Sequence, residues 1–286
     1  MKIGLVLEGG ASRTLFSCGV MDALLLEGIK TDYIIGTSAG IAYGATYASG
    51  QIGRNLEVSV KYMHSKRYMG FFHMLDPKNR SYYNLNFVFD TIPNKKILFD
   101  YDAMEDFGKD IYATVTNVKT GTAEYMRVSP NDKKNVVLRA SCALPVMFKF
   151  IKIGGEKYLD GGICDPIPYK RALTDGCDKI IVILTREVGY KKGYDKATPI
   201  VDRVYRRYPR FLEAFHHRPI VYNDSVSELL KLEKEGKALI IRPDTVDGIK
   251  RTEKSPAVLE MLYNQGLEVG KRRMDEIKKF ISEDSV

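Results

Sequence analysis

The amino-acid sequence predicts an α/β protein with a mostly parallel β-sheet covered by helices on both faces. Two observations lead to this prediction. Short apolar runs, each long enough for one buried strand, alternate along the chain with longer segments of helical pattern. No internal repeat and no low-complexity tract interrupts this alternation, which argues against a solenoid or a disordered chain.

The first half of the chain supplies the elements that matter most for function. Residues 3–7 form an apolar run that ends in a tight, glycine-containing loop, and residues 12–26 have a helical pattern with a glycine stop at Gly28. Residues 33–35 predict a second strand, 36–40 a tight turn, and 41–49 a closely packed helix rich in alanine and glycine.

The remaining elements continue the alternation. We predict a hairpin, a helix that ends before Pro145, two late strands and a helical C-terminus from about Ser255. Ser225 and Glu228 have the spacing of a capping box and predict the start of a helix there. The hairpin is expected at residues 110–117 and 122–128, and the helix from residue 136. The two late strands are expected at 179–184 and 238–241.

The length of 286 residues is enough for one large α/β domain. Because the late strand at 238–241 is expected to return to the main sheet, we predict a single domain, 1–286. Its core is placed at about 3–185. Residues 187–223 are expected to form a helical basic insertion or lid, and 224–286 the return strand and C-terminal helices.

The net charge of +8 favours anionic partners such as membrane surfaces, phosphate headgroups or nucleic acid, although simple solubility explains it equally well. The apolar run at the N-terminus is too short for a signal peptide, and nowhere do eighteen apolar residues follow one another. The four cysteines are scattered and indicate free thiols. We therefore expect a cytoplasmic protein, with peripheral membrane contact as an option.

Residues 36–40 have the pattern G-x-S-x-G, with Ser38 between Gly36 and Gly40. A serine that acts as a nucleophile in such a motif must lie on a sharp turn from strand to helix, so that its hydroxyl projects and backbone N–H groups nearby stay free. Ser38 follows an apolar run and precedes a small-residue helix, as such a turn requires. The motif alone also occurs by chance, but this context favours a nucleophile.

A second glycine loop, Gly9 and Gly10 followed by Ala11 and Arg13, joins the first strand to the first helix. Its N–H groups lie at a helix N-terminus, where an oxyanion is stabilised. Dinucleotide binding would need G-x-G-x-x-G, which is absent here, and the loop has no Walker lysine. A plain tight turn is the simpler alternative.

Asp160 precedes Gly161 and Gly162, a pattern that often marks only a turn. It gains meaning as a partner for Ser38, because a serine hydroxyl is a poor nucleophile until a neighbouring base takes its proton.

The sequence resembles the patatin-like phospholipase family in the order and separation of four features. These are the glycine loop with Arg13, the Ser38 turn, the segment 140–145 and the Asp160 turn. The resemblance covers about residues 3–185, and the later segments are similar to a bacterial branch. It implies a three-layer α/β/α sandwich, a Ser38–Asp160 dyad, an oxyanion hole at Gly9, Gly10, Ala11 and Arg13, and no metal or cofactor. Ala11 and Thr14 depart from the usual glycines of this loop.

Three other features have competing interpretations. The order Ser38, Asp160, His216 would suit a triad, but only one strand–helix unit precedes the serine, which favours the dyad. Residues 68–75, rich in aromatics and methionine, suit ordinary core, the wall of an acyl-chain pocket or a lid. Arginines recur at helical spacing between residues 203 and 210, which fits a solvated face, an anionic membrane and, least well, nucleic acid.

These observations predict a serine-dependent acyl hydrolase acting on phospholipids, lysophospholipids or smaller esters, with no nucleic-acid partner. A transacylase with the same acyl-enzyme is one alternative. A catalytically weak lipid-binding or regulatory protein is the other, and the departures at Ala11 and Thr14 motivate it.

Overall fold

The computed structural model describes residues 1–283, and these form one β-sheet with helices on both sides. The sheet has eight strands within this range. The strands are β1 Ile3–Leu7, β2 Tyr33–Thr37, β3 Asp110–Asn117, β4 Thr122–Arg127, β5 Ile151–Ile153, β6 Glu156–Asp160, β7 Lys179–Ile183 and β8 Ala238–Ile241.

The helices occupy most of the chain between and after these strands. Short 3-10 turns at Ala11–Thr14 and Gly161–Ile163 and a π-helical stretch at Phe87–Lys96 supplement them. The α-helices are α1 Leu15–Leu26, α2 Ala39–Ala48, α3 Arg54–Tyr62, α4 Phe72–Leu75, α5 Tyr101–Asp106, α6 Val136–Ser141, α7 Tyr169–Thr174, α8 Thr198–Val204, α9 Pro209–Lys234, α10 Pro256–Arg272 and α11 Met274–Ser282.

The strand order is β5-β6-β3-β2-β1-β7-β8, with β4 also paired to β3. The central strands β3, β2, β1, β7 and β8 run parallel to one another. Strands β4 and β6 pair with β3 in antiparallel fashion, and β5 pairs with β6 in the same way. The predicted mostly parallel sheet is therefore confirmed for its centre, and the return of the late strand β8 to the sheet is observed.

Alternate residues of the central strands enter different cores, which is how the chain builds three layers. In β1, Leu5 and Leu7 pack with α1 and α2 residues, whereas Val6 faces the opposite side. On that side it packs with residues of α7 and α9, including Ala172 and Leu229. Both faces of the sheet are thus buried, and the α/β/α sandwich is confirmed.

The region after β7 differs from the prediction in two respects. Ser225 does not begin a helix: it is buried in the middle of α9, which begins at Pro209. Proline suits the first helical turn because its missing N–H is not needed there. The boundary placed between residues 223 and 224 therefore falls inside a continuous helix.

Helices α1 and α10 cross at glycines. A Cβ atom on Gly19 would lie 2.0 Å from the carbonyl oxygen of Tyr263, and one on Gly266 would lie 1.9 Å from that of Phe16. No side chain fits at such distances, so the two backbones are in direct contact. This contact ties the C-terminal helices to the first helix of the chain.

Within residues 1–283, no helix combines the length with the apolar composition that crossing a membrane would require.

Candidate active site

Strand β3 brings the ends of β2 and β6 together. On the edge of β3 that β4 leaves free, Thr37 of β2 pairs with Thr114, and Asp160 of β6 pairs with the next residue, Val115. The two chain ends therefore meet at adjacent positions of one strand. Ser38, which follows Thr37, is placed beside Asp160, so the structure brings together the two residues that the sequence singled out.

The backbone at Ser38 is strained and held in place. Its φ of 55° and ψ of −132° lie where a non-glycine residue is rare, at a typical cost of about 1–3 kcal/mol. The Ser38 N–H donates to Oγ of Ser141 at 2.8 Å, and that hydroxyl donates to the carbonyl of Thr114, also at 2.8 Å. Ser141 thus fastens the turn to β3.

The two glycines that flank Ser38 are required by space. A Cβ on Gly36 would come within 2.9 Å of Cβ of Leu7, and one on Gly40 within 2.6 Å of the carbonyl oxygen of Glu8. The turn consequently packs directly on the end of β1, where the second glycine loop begins.

Asp160 is buried, with 2% of its surface exposed. Its Oδ1 accepts the N–H of Gly162 at 2.8 Å, while Oδ2 has no hydrogen-bond partner among the described residues. Burial raises the pKa of this carboxyl group above its ordinary value of 3.8, although the Ser38 side chain, the Gly162 N–H and the nearby cations of Arg218 and Arg251 oppose the rise. A carboxylate of this kind can accept a proton from the neighbouring hydroxyl.

The glycine loop lies on the other side of Ser38. A Cβ on Gly9 would approach Cβ of Ser38 to 3.0 Å, so only glycine allows this contact. The N–H groups of Gly9, Gly10 and Ala11 donate to no group in residues 1–283. The N–H of Arg13 donates to the carbonyl of Gly10 at 3.2 Å. Three free donors therefore remain next to the serine, as an oxyanion requires.

Ala11, the departure from glycine, has a φ of 49°. This is the left-handed region, which costs an L-residue about 1–2 kcal/mol relative to the right-handed one. The loop thus keeps the glycine-like backbone despite the alanine, and its N–H remains free.

Two cavities meet at Ala11. The first, of about 110 Å³, is mostly apolar and extends under α2 and α3. Among the residues that line it are Ala42, Tyr43, Val58, Met63, Tyr68, Phe89, Leu138 and Cys142. Its composition suits an acyl chain.

The second cavity, of about 60 Å³, is polar and contains Ser38 and Asp160. We call it the polar chamber. Its cationic side chains are those of Arg13, Arg186, Lys192, Arg218 and Arg251. Sequence reasoning missed all of these except Arg13. They come from distant segments with no common spacing, so only the fold reveals them as a group.

Glu8 is the second buried acid of the polar chamber. Its carboxylate accepts the N–H of Thr185 at 2.5 Å, and Tyr222 lines the same chamber. Burial nevertheless raises the pKa of Glu8. Because it is already engaged in this way, Glu8 is a poorer candidate for the base than Asp160.

No histidine lines the polar chamber within the described residues. His216 instead hydrogen-bonds through Nε2 to Oδ1 of Asp202 at 2.8 Å on the surface, and His217 contacts the carbonyl of Glu213. The Ser–Asp–His alternative therefore has no support in the geometry.

The arginines expected on one helical face do not share a helix. Arg203 lies near the end of α8, Arg206 and Arg207 lie in the following turn, and Arg210 lies at the start of α9. All four are exposed. The prediction of one basic face is wrong because Pro209 begins a new helix.

Segment 68–75 divides between two environments. Tyr68 is buried in the hydrophobic core and also lines the apolar cavity, so its position is compatible with both interpretations. In contrast, Phe71, Phe72 and Leu75 are exposed, and Phe71 and Leu75 present 76% and 84% of their surface. We call these three residues the apolar patch.

Comparison with known proteins gives two family matches. Residues 5–173 match the model of "Patatin-like phospholipase", and residues 208–282 match a "Domain of unknown function (DUF6363)". The first match contains Ser38 and Asp160, and the second contains Arg218 and Arg251.

Two individual relatives share at most about a third of their residues with this chain over the aligned parts, and the chain spans about half or less of their length. The chain is 28% identical to "Uncharacterized protein YjjU" of Escherichia coli over 64% of this chain and 52% of that protein. It is 30% identical to "Lysophospholipase nte1" of Emericella nidulans over 63% of this chain but only 12% of that protein. The solved structure of VipD from Legionella pneumophila aligns with a TM-score of 0.46 at 15% identity, covering 95% of this chain and 67% of that one.

Proposed function

Because the chain belongs to the patatin-like phospholipase family, we propose that it is a serine-dependent hydrolase that cleaves carboxylic esters of phospholipids, lysophospholipids or smaller acyl compounds. One observation carries the proposal: Asp160 has a buried carboxylate oxygen without a partner among the described residues, and it lines the same polar chamber as Ser38. A merely structural aspartate would have both oxygens satisfied.

The proposed reaction has two halves. Oγ of Ser38 attacks the ester carbonyl while Asp160 accepts the hydroxyl proton, and the oxyanion accepts hydrogen bonds from the free N–H groups of Gly10 and Ala11, assisted by that of Gly9. When the intermediate collapses, Asp160 returns the proton to the leaving alcohol. Water then attacks the acyl-enzyme, gives a proton to Asp160, and the acid leaves as Ser38 regains its hydrogen.

The apolar cavity supports an acyl chain as the part of the substrate that is held. It reaches Ala11 and Ala39, the residues on either side of the reaction centre. The family relatives named lysophospholipase, including the one from Emericella nidulans, are consistent with this class of substrate.

The experiment that tests the proposal is hydrolysis of a p-nitrophenyl ester series of increasing chain length by the wild-type protein. We expect turnover, with a preference for the chains that fill the apolar cavity. Added alcohol separates a hydrolase from a transacylase, because only the latter would shift the product from free acid to a new ester. Absence of turnover for every ester of the series would contradict the proposal and favour the lipid-binding or regulatory alternative.

The pH profile should report the raised pKa of Asp160. The base must be ionised to accept the proton, so activity falls as pH falls through the pKa of the folded enzyme. Since burial raises that pKa, we expect the acid limb of kcat/KM on a neutral ester to have its midpoint above 3.8. Asp202→Asn, which alters a half-buried aspartate that pairs with His216 outside the polar chamber, should leave the midpoint of that limb unchanged. An acid limb with its midpoint at or below 3.8, the ordinary pKa of an aspartate, would exclude Asp160 as the base.

We also propose peripheral contact with an anionic membrane through the apolar patch. Its residues follow Tyr68, which lines the apolar cavity, within a few positions of the chain, and they are exposed. Four exposed cations lie in the same stretch of chain, and they suit anionic headgroups. These are Lys66, Arg67, Lys78 and Arg80.

Replacing Phe71 and Leu75 by serine should therefore weaken binding to anionic vesicles by about tenfold or more, because each apolar side chain that enters lipid contributes about 1.5–3 kcal/mol. Co-sedimentation measures this. Val188→Ser removes an equally exposed apolar side chain elsewhere and serves as the control. Equal binding of all three proteins would show that the patch does not touch lipid.

A further inference from the structure

The polar chamber carries a surplus of cations that the proposed reaction does not use. Five cationic side chains line it against two carboxylates, Glu8 and Asp160. Within residues 1–283, Arg13, Arg186, Lys192 and Arg251 form no ion pair with an acid, so the local charge is left for something else to balance.

Arg218 is the cation most firmly fixed at the reaction centre. It projects from α9, and its Nε donates to the carbonyl oxygen of Gly162 at 2.6 Å. Its Nη1 forms an ion pair with Oδ2 of Asp195 at 3.7 Å. The guanidinium is therefore held beside the turn after Asp160 by a neutral oxygen and one long ion pair.

Arg251 also lines the polar chamber, and its backbone is fixed to the glycine loop. Its carbonyl oxygen accepts both the N–H and the hydroxyl of Ser12, at 3.2 and 3.0 Å. Ser12 belongs to the glycine loop, so the segment that carries Arg251 is attached directly to the proposed oxyanion hole. Arg218 and Arg251 both lie outside the residues that match the patatin-like model.

We infer that the polar chamber binds the phosphate group of an acyl ester, and that α9 and the segment around Arg251 complete this site from the C-terminal part of the chain. The inference rests on the proposed function, because it assigns the alcohol side of the substrate to the polar chamber and the acyl side to the apolar cavity. The two cavities meet at Ala11 beside Ser38, which suits an ester with an acyl chain on one side and an anion on the other.

Lys192 gives the site a dependence on pH. Burial, assisted by the charges of Arg218, Arg251 and Arg186, lowers the pKa of this amine to about 7, although Glu8 opposes the shift. The rings of Tyr222 and Tyr190 complete its surroundings. A bound phosphate would favour the charged amine, so phosphate binding should take up a proton and weaken as pH rises above 7.

The first test compares two esters of the same acyl chain: a lysophosphatidate, which carries a phosphomonoester, and the neutral monoacylglycerol. We expect the wild-type kcat/KM to favour the lysophosphatidate by at least tenfold. Arg251→Gln and Lys192→Gln should each reduce that ratio at least fivefold. Lys250→Gln, which removes the exposed cation next to Arg251, is the control and should not change it. A wild-type ratio near one, or an unchanged ratio in both variants, would overturn the inference.

The second test separates this inference from the proposed hydrolysis. Calorimetry with glycerol 3-phosphate probes the anion site without any acyl transfer, in wild type and in Arg251→Gln. Saturable binding that weakens above pH 7 and is reduced in the variant supports the site even if no ester is cleaved. Absence of saturable binding overturns it, whereas failure to cleave either ester bears only on the proposed function. Inorganic phosphate as a second probe shows whether the site needs the glycerol moiety.

Discussion

Replacing Ser38 by alanine is expected to lower ester turnover by at least about a thousandfold, since no other group would form the acyl-enzyme. Asp160→Asn should have a comparable effect, because the amide keeps the shape of the side chain but accepts no proton. The measurement is kcat on a soluble p-nitrophenyl ester for both variants and for the double variant. As the two groups act in one step, the double variant should be little slower than either single variant.

Folding must be unaffected for this result to count. Ser38→Ala removes only a hydroxyl, and the N–H that bonds Ser141 remains. Asp160→Asn retains the Oδ1 acceptor for Gly162 and removes a charge that burial disfavours. We therefore expect the free energy of unfolding of each variant to fall by less than about 1 kcal/mol. Substantial turnover by Ser38→Ala, or fully multiplicative losses in the double variant, would refute the dyad.

Replacing Gly266 by valine is expected to have the largest effect on stability. Its Cβ would lie 1.9 Å from the carbonyl oxygen of Phe16, so α1 and α10 would have to separate along their contact. We expect a loss of about 3 kcal/mol or more in the free energy of unfolding, above the usual cost of overpacking because backbone atoms cannot rotate away. Urea unfolding followed by circular dichroism measures it.

Asn264→Val is the matched control for this variant. It places the same β-branched residue in the same helix, at an exposed position. Its cost should be that of helix propensity alone, at most about 1 kcal/mol. If the two variants unfold at the same urea concentration, then the close packing of α1 on α10 does not stabilise the fold.

Local patterns in the sequence were enough to predict the strands that carry the site. The apolar runs before the glycine loop and before Ser38 correspond to β1 and β2, and the run at 238–241 corresponds to β8. These predictions succeed because a strand buried on both faces leaves a short apolar signal of its own.

The meeting of Ser38 with Asp160 could not be predicted from the residues alone. It depends on β2 and β6 ending at adjacent positions of β3, which is a pairing between distant segments. Only the resemblance to a family with the same motif order indicated it.

The polar chamber was missed for the same reason. Arg186, Lys192, Arg218 and Arg251 share no spacing, and each alone reads as an ordinary surface cation. The error over the arginines between 203 and 210 was avoidable. Pro209 disfavours a helical conformation at the residue before it, and that signal outweighs the spacing of the arginines.

Covalent labelling with a fluorophosphonate tests the central claim most directly, because only a serine activated by a neighbouring base reacts quickly with it. The labelled peptide, identified by mass spectrometry, should contain Ser38. Labelling should vanish in Ser38→Ala and become much slower in Asp160→Asn. A wild-type protein that remains unlabelled, a label on a different serine, or an unchanged rate in Asp160→Asn would contradict the assignment of Ser38 as a nucleophile activated by Asp160.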